Sequence, residues 1–494
     1  MEKFILALDQ GTTGTTVCLL NRQAQMVATI NQEHPQIYPH AGWVEHDPEA
    51  IWQTVTSGIQ KVLSKAAIKG EQVAAIGITN QRETVVMWDK DSHKPVYNAI
   101  VWQCRRTTDF CARHLKRHEA KLKRKTGLVV DPYFSASKIR WLLDNVVGVK
   151  AHAKAGQLRV GTIDSFLLWR LTGGRVHKTD VSNASRTQLM NIERGDWDEE
   201  LLKLFQVPRV LLPEITASND TFGTTVGVPG LPDGIPIAGV AGDQQAALFG
   251  QTCFEVGAAK CTFGTGSFLL MNTGHKRVSS KHGLLTTIAW RLKGEKKSTY
   301  ALEGGAFICG AAVQWLRDQM QFIKSSSEVE TLAKQVASTE GVYMVPAFVG
   351  LGAPHWDPQA RAALVGMTRG TTRAHVARAT LEAMALQNVD ILKAMEADLG
   401  RKMRAVRVDG GAVQDDLLMQ MQADFLGVKV ERPRQIESTV LGAAYLAGLG
   451  TGFWPSLAEI KKVWSVEREF KAELGGAARK QKLTEWHRAV ERVR

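Results

Sequence analysis

The chain opens on short apolar runs separated by turn residues. Phe4–Leu8 is followed by Gly11-Thr12-Thr13-Gly14, then Val17–Leu20, a turn at Asn21-Arg22, and Met26–Ile30. Short aliphatic runs bounded by Gly, Thr and Asn predict strands joined by tight turns. Asp47-Pro48-Glu49 predicts a helix start: Asp47 caps, Pro48 suits the first helical position, and Glu49 suits the positive helix end. Trp52, Val55, Ile59, Val62 and Ala66 then recur at helical spacing and form one buried face. Val73–Ile78 is almost continuously apolar, which predicts a strand covered on both faces.

The second half repeats this vocabulary. Ile235–Val240 predicts a buried strand, followed by Gly242-Asp243-Gln244-Gln245 and small residues up to Phe249. Residues 260–271 read as strand, glycine turn (Gly264-Thr265-Gly266) and strand. A long helix is predicted over 372–399, stopped by Gly400. Val406-Arg407-Val408 leads into Asp409-Gly410-Gly411, and a helix over 437–449 carries small residues suited to close packing. The last forty residues, rich in Lys, Arg and Glu, read as peripheral helices, with Trp486 and Val490 docking the final one. A strand–Gly/Thr turn–strand unit thus occurs twice, at 4–20 and 260–271. That repetition predicts two α/β domains of related design, 1–250 and 251–494, with no low-complexity linker.

A length of 494 residues suits two cores, and the net charge of +13 raises nucleic acid, anionic membranes and anionic small ligands as partners. The densest basic run, Lys116–Lys125, reads as a solvated helix face, and no aromatic–basic interleaving points to nucleic acid. The N-terminal apolar run is interrupted by Asp9, and no stretch reaches the ~18–20 uncharged apolar residues of a membrane helix. A cytoplasmic protein without membrane insertion is expected. The six cysteines form no CxxC pair and are expected to be buried thiols.

Candidate chemistry gathers at strand ends. Glycine–threonine turns free consecutive N–H groups and hydroxyls for phosphate oxygens, although either turn alone is also satisfied by an ordinary hairpin. No Walker A or dinucleotide fingerprint competes with them, and no HExxH motif or Cys/His cluster supports transition-metal chemistry. Asp9, beside the first turn, suits Mg²⁺ held through waters. Asp243 suits a base that takes a proton from an attacking hydroxyl, and a helix N-cap is the equally simple reading. The adjacent donor Arg82 and acceptor Glu83 match a polyol hydroxyl, which both donates and accepts, but a surface ion pair is the simpler reading of that pair alone. Trp102 and Tyr133, in polar surroundings, each offer an apolar face and a polar handle, as core aromatics also do.

Together, DQGTT (9–13), GWVEHDPEAIW (42–52), NQRET (80–84), NAIVWQCRRT (98–107), YFSASKIRWLLDN (133–145), GDQQAALFG (242–250), FGTGSF (263–268), EGGAFICGAAVQWLRD (303–318), LVGMTRGTTRAHVARATLE (364–382) and VDGGAV (408–413) resemble the FGGY family of sugar and polyol kinases, over nearly the whole chain, and within it the members acting on glycerol. The resemblance implies an α/β protein of two actin/Hsp70/hexokinase-like (ribonuclease H-like) domains. Each would be a five-stranded mixed sheet with flanking helices, with the site in the cleft between them. It implies ATP-dependent phosphorylation of glycerol to sn-glycerol 3-phosphate, with ATP and Mg²⁺ as cofactors and a homodimer or homotetramer as the assembly. Carried over by position, Arg82, Glu83, Tyr133, Asp243 and Gln244 would bind glycerol, Trp102 and Phe268 would wall its carbon skeleton, and Asp243 would be the catalytic base. Thr12, Thr13, Gly14, Thr16, Thr265, Gly310, Gln314, Gly411 and Asp415 fall at nucleotide-binding positions, with Asp9 and Asp243 toward the metal. Two positions depart from the pattern: Thr16 stands where an Arg is common, and Asp415 where an Asn is usual. The loop 228–235 lacks the Gly-Gly-Thr-Arg run associated with fructose-1,6-bisphosphate inhibition, so that regulation is not implied. The rival readings are another FGGY substrate (xylulose, ribulose or gluconate) and a non-kinase ATPase of the same superfold.

Overall fold

The computed structural model describes residues 2–494. Two mixed sheets organise it. The first contains β1 (Phe4–Gln10), β2 (Gly14–Leu20), β3 (Met26–Glu33), β4 (Val73–Asn80) and β5 (Pro236–Gly242) in the order β5-β4-β1-β2-β3, extended beyond β5 by the two-residue strand Gly223–Thr224. The second contains β6 (Ala259–Phe263), β7 (Ser267–Gly274), β8 (Leu285–Trp290), β9 (Thr299–Ala306), β10 (Ala405–Asp409), β11 (Lys429–Pro433) and β12 (Val466–Phe470) in the order β8-β9-β7-β6-β10-β11-β12. Both share one five-strand pattern, in which β3-β2-β1-β4-β5 corresponds to β9-β7-β6-β10-β11. In each, three antiparallel strands are followed by two parallel to the inner hairpin strand. The expected five strands are therefore present twice, with one further strand in the first sheet and two in the second.

The helices around these sheets include α1 (Pro48–Ala66), α2 (Ser135–Asn145), α3 (Asp243–Gly250), α4 (Gly310–Asp318), α5 (Arg373–Leu399), α6 (Ser438–Thr451) and α7 (Gly476–Glu491). Asp47 caps α1 by accepting from the Glu49 N–H, and Val55, Ile59 and Val62 are fully buried against the first sheet. A four-stranded sheet (Glu45–His46, Ala99–Ile100, Val85–Asp89, Leu158–Thr162) builds an outer part of the first half.

The strands of the first sheet all precede residue 250 and those of the second all follow it, yet the packing crosses that line. Helix α6 lies on β1, β4 and β5 of the first sheet, and it meets α3 backbone to backbone. A methyl at Gly77 would sit 2.2 Å from the Ala443 carbonyl oxygen, and one at Gly442 would sit 1.8 Å from that of Ala246. Those approaches exclude any side chain, which explains the run of small residues on α6. The core beneath joins Ile5, Ala7 and Ala75 to Leu270, Tyr445 and Leu446.

Two local expectations are corrected. Val466–Phe470, within the tail read as helical, is the edge strand β12, paired antiparallel with β11. Its Glu467, Arg468 and Glu469 are exposed while Phe470 is buried, and charged side chains of this kind suit an edge. Only Glu119–Thr126 of the basic run is regular α-helix, and the turns before it are irregular. All six cysteines are buried and free. Among the described residues no helix is long and apolar enough to cross a membrane.

Candidate active site

Three parallel strands end at one edge. Gln10 on β1 lies opposite Asn80 on β4, and Asn80 opposite Gly242 on β5. Asp9, Gln81-Arg82-Glu83 and Asp243-Gln244 therefore leave the first sheet side by side, at the carboxyl edge where open α/β sheets bind ligands. The second sheet contributes Glu303 and Phe268 from β9 and β7, so the site is built by both halves.

Arg82 is only 3% exposed and Glu83 only 1%, which overturns the surface ion pair. The two make no direct hydrogen bond with each other, their charged atoms lying 4.0 Å apart in a loose ion pair. Glu83 adopts a left-handed φ of 62°, and the Thr84 N–H donates to the Arg82 carbonyl at 2.7 Å, so the chain turns sharply and sends the side chains to different partners. Ser135, at the start of α2, fixes this turn by donating to the Glu83 carbonyl at 3.0 Å. Arg82 grips Glu303 through Nη1 and Nη2 (2.7 and 2.9 Å) and approaches Asp243 Oδ1 through Nε (3.2 Å) and Tyr133 Oη through Nη2 (3.4 Å). Arg186 donates to Glu83 (2.6 Å) and to Glu303 (3.1 Å). Burial alone would raise the Glu303 carboxyl, but Arg186 and Arg82 hold it down to about 2. Glu83 lies above its ordinary value because burial outweighs its guanidinium neighbours, so a hydroxyl donor at that oxygen would be welcome.

Asp243 is the first residue of α3, with Gly242 in the cap position. Its carboxylate accepts from the adjacent Gln244 N–H at 2.7 Å and from no later amide, so it is not an N-cap. With its side chain 30% exposed it faces the cleft. Trp102 and Tyr133 are half-buried and stand edge to face at 5.6 Å, and Phe268 meets Trp102 from the other half at 6.5 Å. Trp102 Nε1 donates to Thr12 Oγ1 at 2.9 Å, tying this apolar wall to the first glycine–threonine turn. Buried Lys138 holds the Tyr133 segment by donating to the carbonyls of Pro132, Tyr133 and Phe134.

The residues expected on the nucleotide side differ widely in their settings. Thr13 is exposed, whereas Gly14 is buried, and a methyl there would strike the Gln32 carbonyl at 2.6 Å; packing accounts for that glycine. Thr16 Oγ1 accepts from Asn31 at 2.9 Å within the β2–β3 pair. In the second loop Thr265 is exposed, and its carbonyl accepts from the N–H groups of Cys309 (2.8 Å) and Ala311 (3.1 Å). The Gly310 N–H is spent on the Gly264 carbonyl at 2.9 Å, so Gly310 permits the close approach of α4 to the loop and its amide is already occupied. Gln314 and Gly411 are both exposed, with open space around Gly411. Asp415 caps the helix Asp416–Leu426 by accepting from the Leu418 N–H at 2.8 Å. Burial pushes its carboxyl up to about 6.

Burial also pushes Asp9 up to about 8, helped by the carboxylates of Asp243 and Glu437. A cation bound beside it would favour the ionised form and bring the carboxyl back down. Among the described residues no group of three or more His, Cys, Asp or Glu is placed to cage a metal. Sequence reasoning missed Arg186, Glu303, Gln245 and Lys260. Gln245 accepts from Arg82 at 3.3 Å. Lys260 is fully buried on β6, and a lysine inside an apolar strand was the one available signal.

Residues 4–250 match the model of the FGGY family of carbohydrate kinases, N-terminal domain, and residues 259–451 match that of its C-terminal domain. The chain belongs to the FGGY family of carbohydrate kinases. Among relatives of this FGGY chain, the glycerol kinase of Bdellovibrio bacteriovorus is 61% identical over 494 residues, covering 100% of both chains. That of Desulforamulus reducens is 55% identical, covering 99% of this chain and 98% of its own. The crystal structure of Plasmodium falciparum glycerol kinase with ADP superposes with a TM-score of 0.93 at 39% identity, over 100% of this chain and 98% of that one. Gluconate kinase from Lactobacillus acidophilus shares the fold at a TM-score of 0.87 and 21% identity, over 100% of this chain and 97% of that one.

Proposed function

We propose that this chain transfers the γ-phosphoryl group of ATP to a terminal hydroxyl of glycerol, giving sn-glycerol 3-phosphate. The observation that carries the reading is the Asp243 carboxylate, open to the cleft and 3.2 Å from Arg82, on the strand edge shared with the first glycine–threonine turn. Glycerol's hydroxyls would donate to Glu83 and accept from Arg82 and Gln244, with its carbons against Trp102 and Phe268. Asp243 would accept the proton of the terminal hydroxyl as its oxygen attacks phosphorus in line. Thr12, Thr13 and Thr265 face the nucleotide, and orientation supplies most of the acceleration. Mg²⁺, when bound, neutralises phosphate charge, and Asp9 and Asp243 are the carboxylates that would hold it through water. In this reading residues 1–250 carry the acceptor site and first loop, and 251–494 the second loop and adenosine site. The joint need for ATP and glycerol supports a cytoplasmic location, and a homodimer or homotetramer is the assembly to test by light scattering.

An ADP-release assay over glycerol, xylulose, ribulose and gluconate tests the reading. Glycerol-dependent turnover is expected. Turnover with a pentulose but not glycerol would sink the substrate, and acceptor-independent ATP hydrolysis would sink the kinase.

Asp9 gives a prediction whose sign separates function from stability. Its carboxyl is raised from 3.8 to about 8 in the fold, so below 3.8 the group is neutral in both states and costs nothing. As pH rises from 3.8 to 8 the unfolded chain ionises first, and stability is progressively lost. Asp9→Asn should therefore raise the melting temperature of the ligand-free protein at about pH 9 and leave it unchanged near pH 4. Turnover should fall by about 10²-fold, a typical cost for one charge-stabilising group. A lower melting temperature at high pH would refute the burial argument.

A further inference from the structure

We infer that Lys260 is a positioning residue that fixes the side-chain amide of Gln244, turning its NH₂ group toward the acceptor's hydroxyls. The inference rests on the polyol-kinase reading above. Lys260 stands on β6 with no exposed surface. Its ammonium meets three acceptors: the Gln244 side-chain oxygen, Thr262 Oγ1 at 2.7 Å and the Phe268 carbonyl at 3.2 Å. None of the three is a carboxylate. Burial lowers the ammonium's proton affinity, opposed by the more distant charges of Asp409 and Asp243.

A buried cation with only neutral partners is an expensive way to fill space, and a methionine would pack there without that cost. Its use lies in what it does to its neighbours. Lysine only donates, so the Gln244 atom it touches must be the carbonyl oxygen, and the NH₂ group is turned away. That NH₂ has no partner among the described residues, although Gln244 is 8% exposed and adjoins Asp243. A free glutamine amide has a broad, roughly two-fold terminal torsion and would present oxygen and nitrogen almost equally. Lys260 removes that ambiguity. It reaches Gln244 on α3 from a strand of the other half, and the same ammonium braces Phe268 of the apolar wall. Thr262 and Phe268 face each other in the β6–β7 register that ends at the second loop. Acceptor orientation and phosphate loop are thereby set by one side chain.

The test combines structure with a double-mutant cycle on the full-length enzyme. In a crystal structure of Lys260→Met, the Gln244 amide should be rotated or split between two orientations; an unmoved amide overturns the inference whatever the substrate is. Kinetically, Lys260→Met should raise the acceptor KM by about 10–100-fold, the usual worth of a charge-assisted hydrogen bond, with kcat within about fivefold. In a Gln244→Ala background the same change should move KM by less than about twofold. Independent, multiplying effects, or a loss of active enzyme with KM unchanged, would show a merely structural lysine. Should Lys260→Met fail to fold, Gln244→Glu keeps the lysine contact as an ion pair, removes the NH₂ donor and adds one negative charge. It should melt no lower than the parent and still show the raised KM, and an unchanged KM would overturn the inference. If the wild type phosphorylates a different acceptor, the cycle is run on that acceptor. If it phosphorylates none, the kinase reading fails on its own, while the crystal structure still decides the lysine.

Discussion

Asp243→Asn is expected to lower kcat for glycerol phosphorylation by about 10³-fold, within the 10²–10⁴ that a positioned general base contributes. The substitution is nearly isosteric. Asparagine keeps an oxygen for the Gln244 N–H and can still face Arg82, but it cannot take up a proton. Arg82 retains its two-pronged contact with Glu303, so the guanidinium stays in place. The acceptor KM should therefore change less than tenfold, and the melting temperature by no more than a few degrees, because the Asp243 side chain is partly solvated. Rapid-quench measurement of the first turnover distinguishes the readings. A base predicts a slow chemical step with normal binding. A structural carboxylate predicts a reduced fraction of active enzyme turning over at the normal rate, and that result would refute the assignment.

How much of this was legible in the sequence depended on the range of the interaction. The β1–β2 hairpin, the Asp47 cap and the long helix ending at Gly400 follow from signals within a few residues, and they lie where the pattern put them. Asp243 was visible because a buried strand ends there. The pairing of Arg82 was not, because its partner Glu303 is 221 residues away and adjacency pointed to Glu83. Arg186 sits in an unremarkable serine-rich stretch, and only the fold brings it to Glu83. The small residues of α6 announced close packing but could not say against which sheet, and the answer crosses the division at residue 250. On the nucleotide side, Gly310 and Asp415 matched family positions, and the structure adds local jobs for both: a tight loop contact and a helix cap.

Glu303→Gln should be the most damaging single change for stability. Glu303 accepts two bonds from Arg82 and one from Arg186, all three side chains being almost fully buried. Without its charge, two guanidiniums share Glu83 and the partly solvated Asp243. Breaking a buried pair in this way costs about 3–5 kcal/mol. At roughly 2–4 °C per kcal/mol for larger domains, the melting temperature should fall by about 6–20 °C. The pH dependence identifies the cause. Glu303 is held down to about 2 from its ordinary 4.5, so its contribution is complete above pH 4.5 and is lost as pH falls through 2. The gap between wild type and variant should be constant from about pH 5 to 8 and narrow only below pH 4.5. A gap that shrinks near neutrality would assign the stabilisation to another group. Because Glu303 comes from the second sheet and both arginines from the first half, the acceptor KM should rise with the loss of stability. The same carboxylate that joins the two halves also fixes the guanidinium of Arg82, which the proposed function places against glycerol. Arg82→Lys, which keeps the charge but loses the two-pronged grip, should reproduce the KM effect while costing less stability than Glu303→Gln.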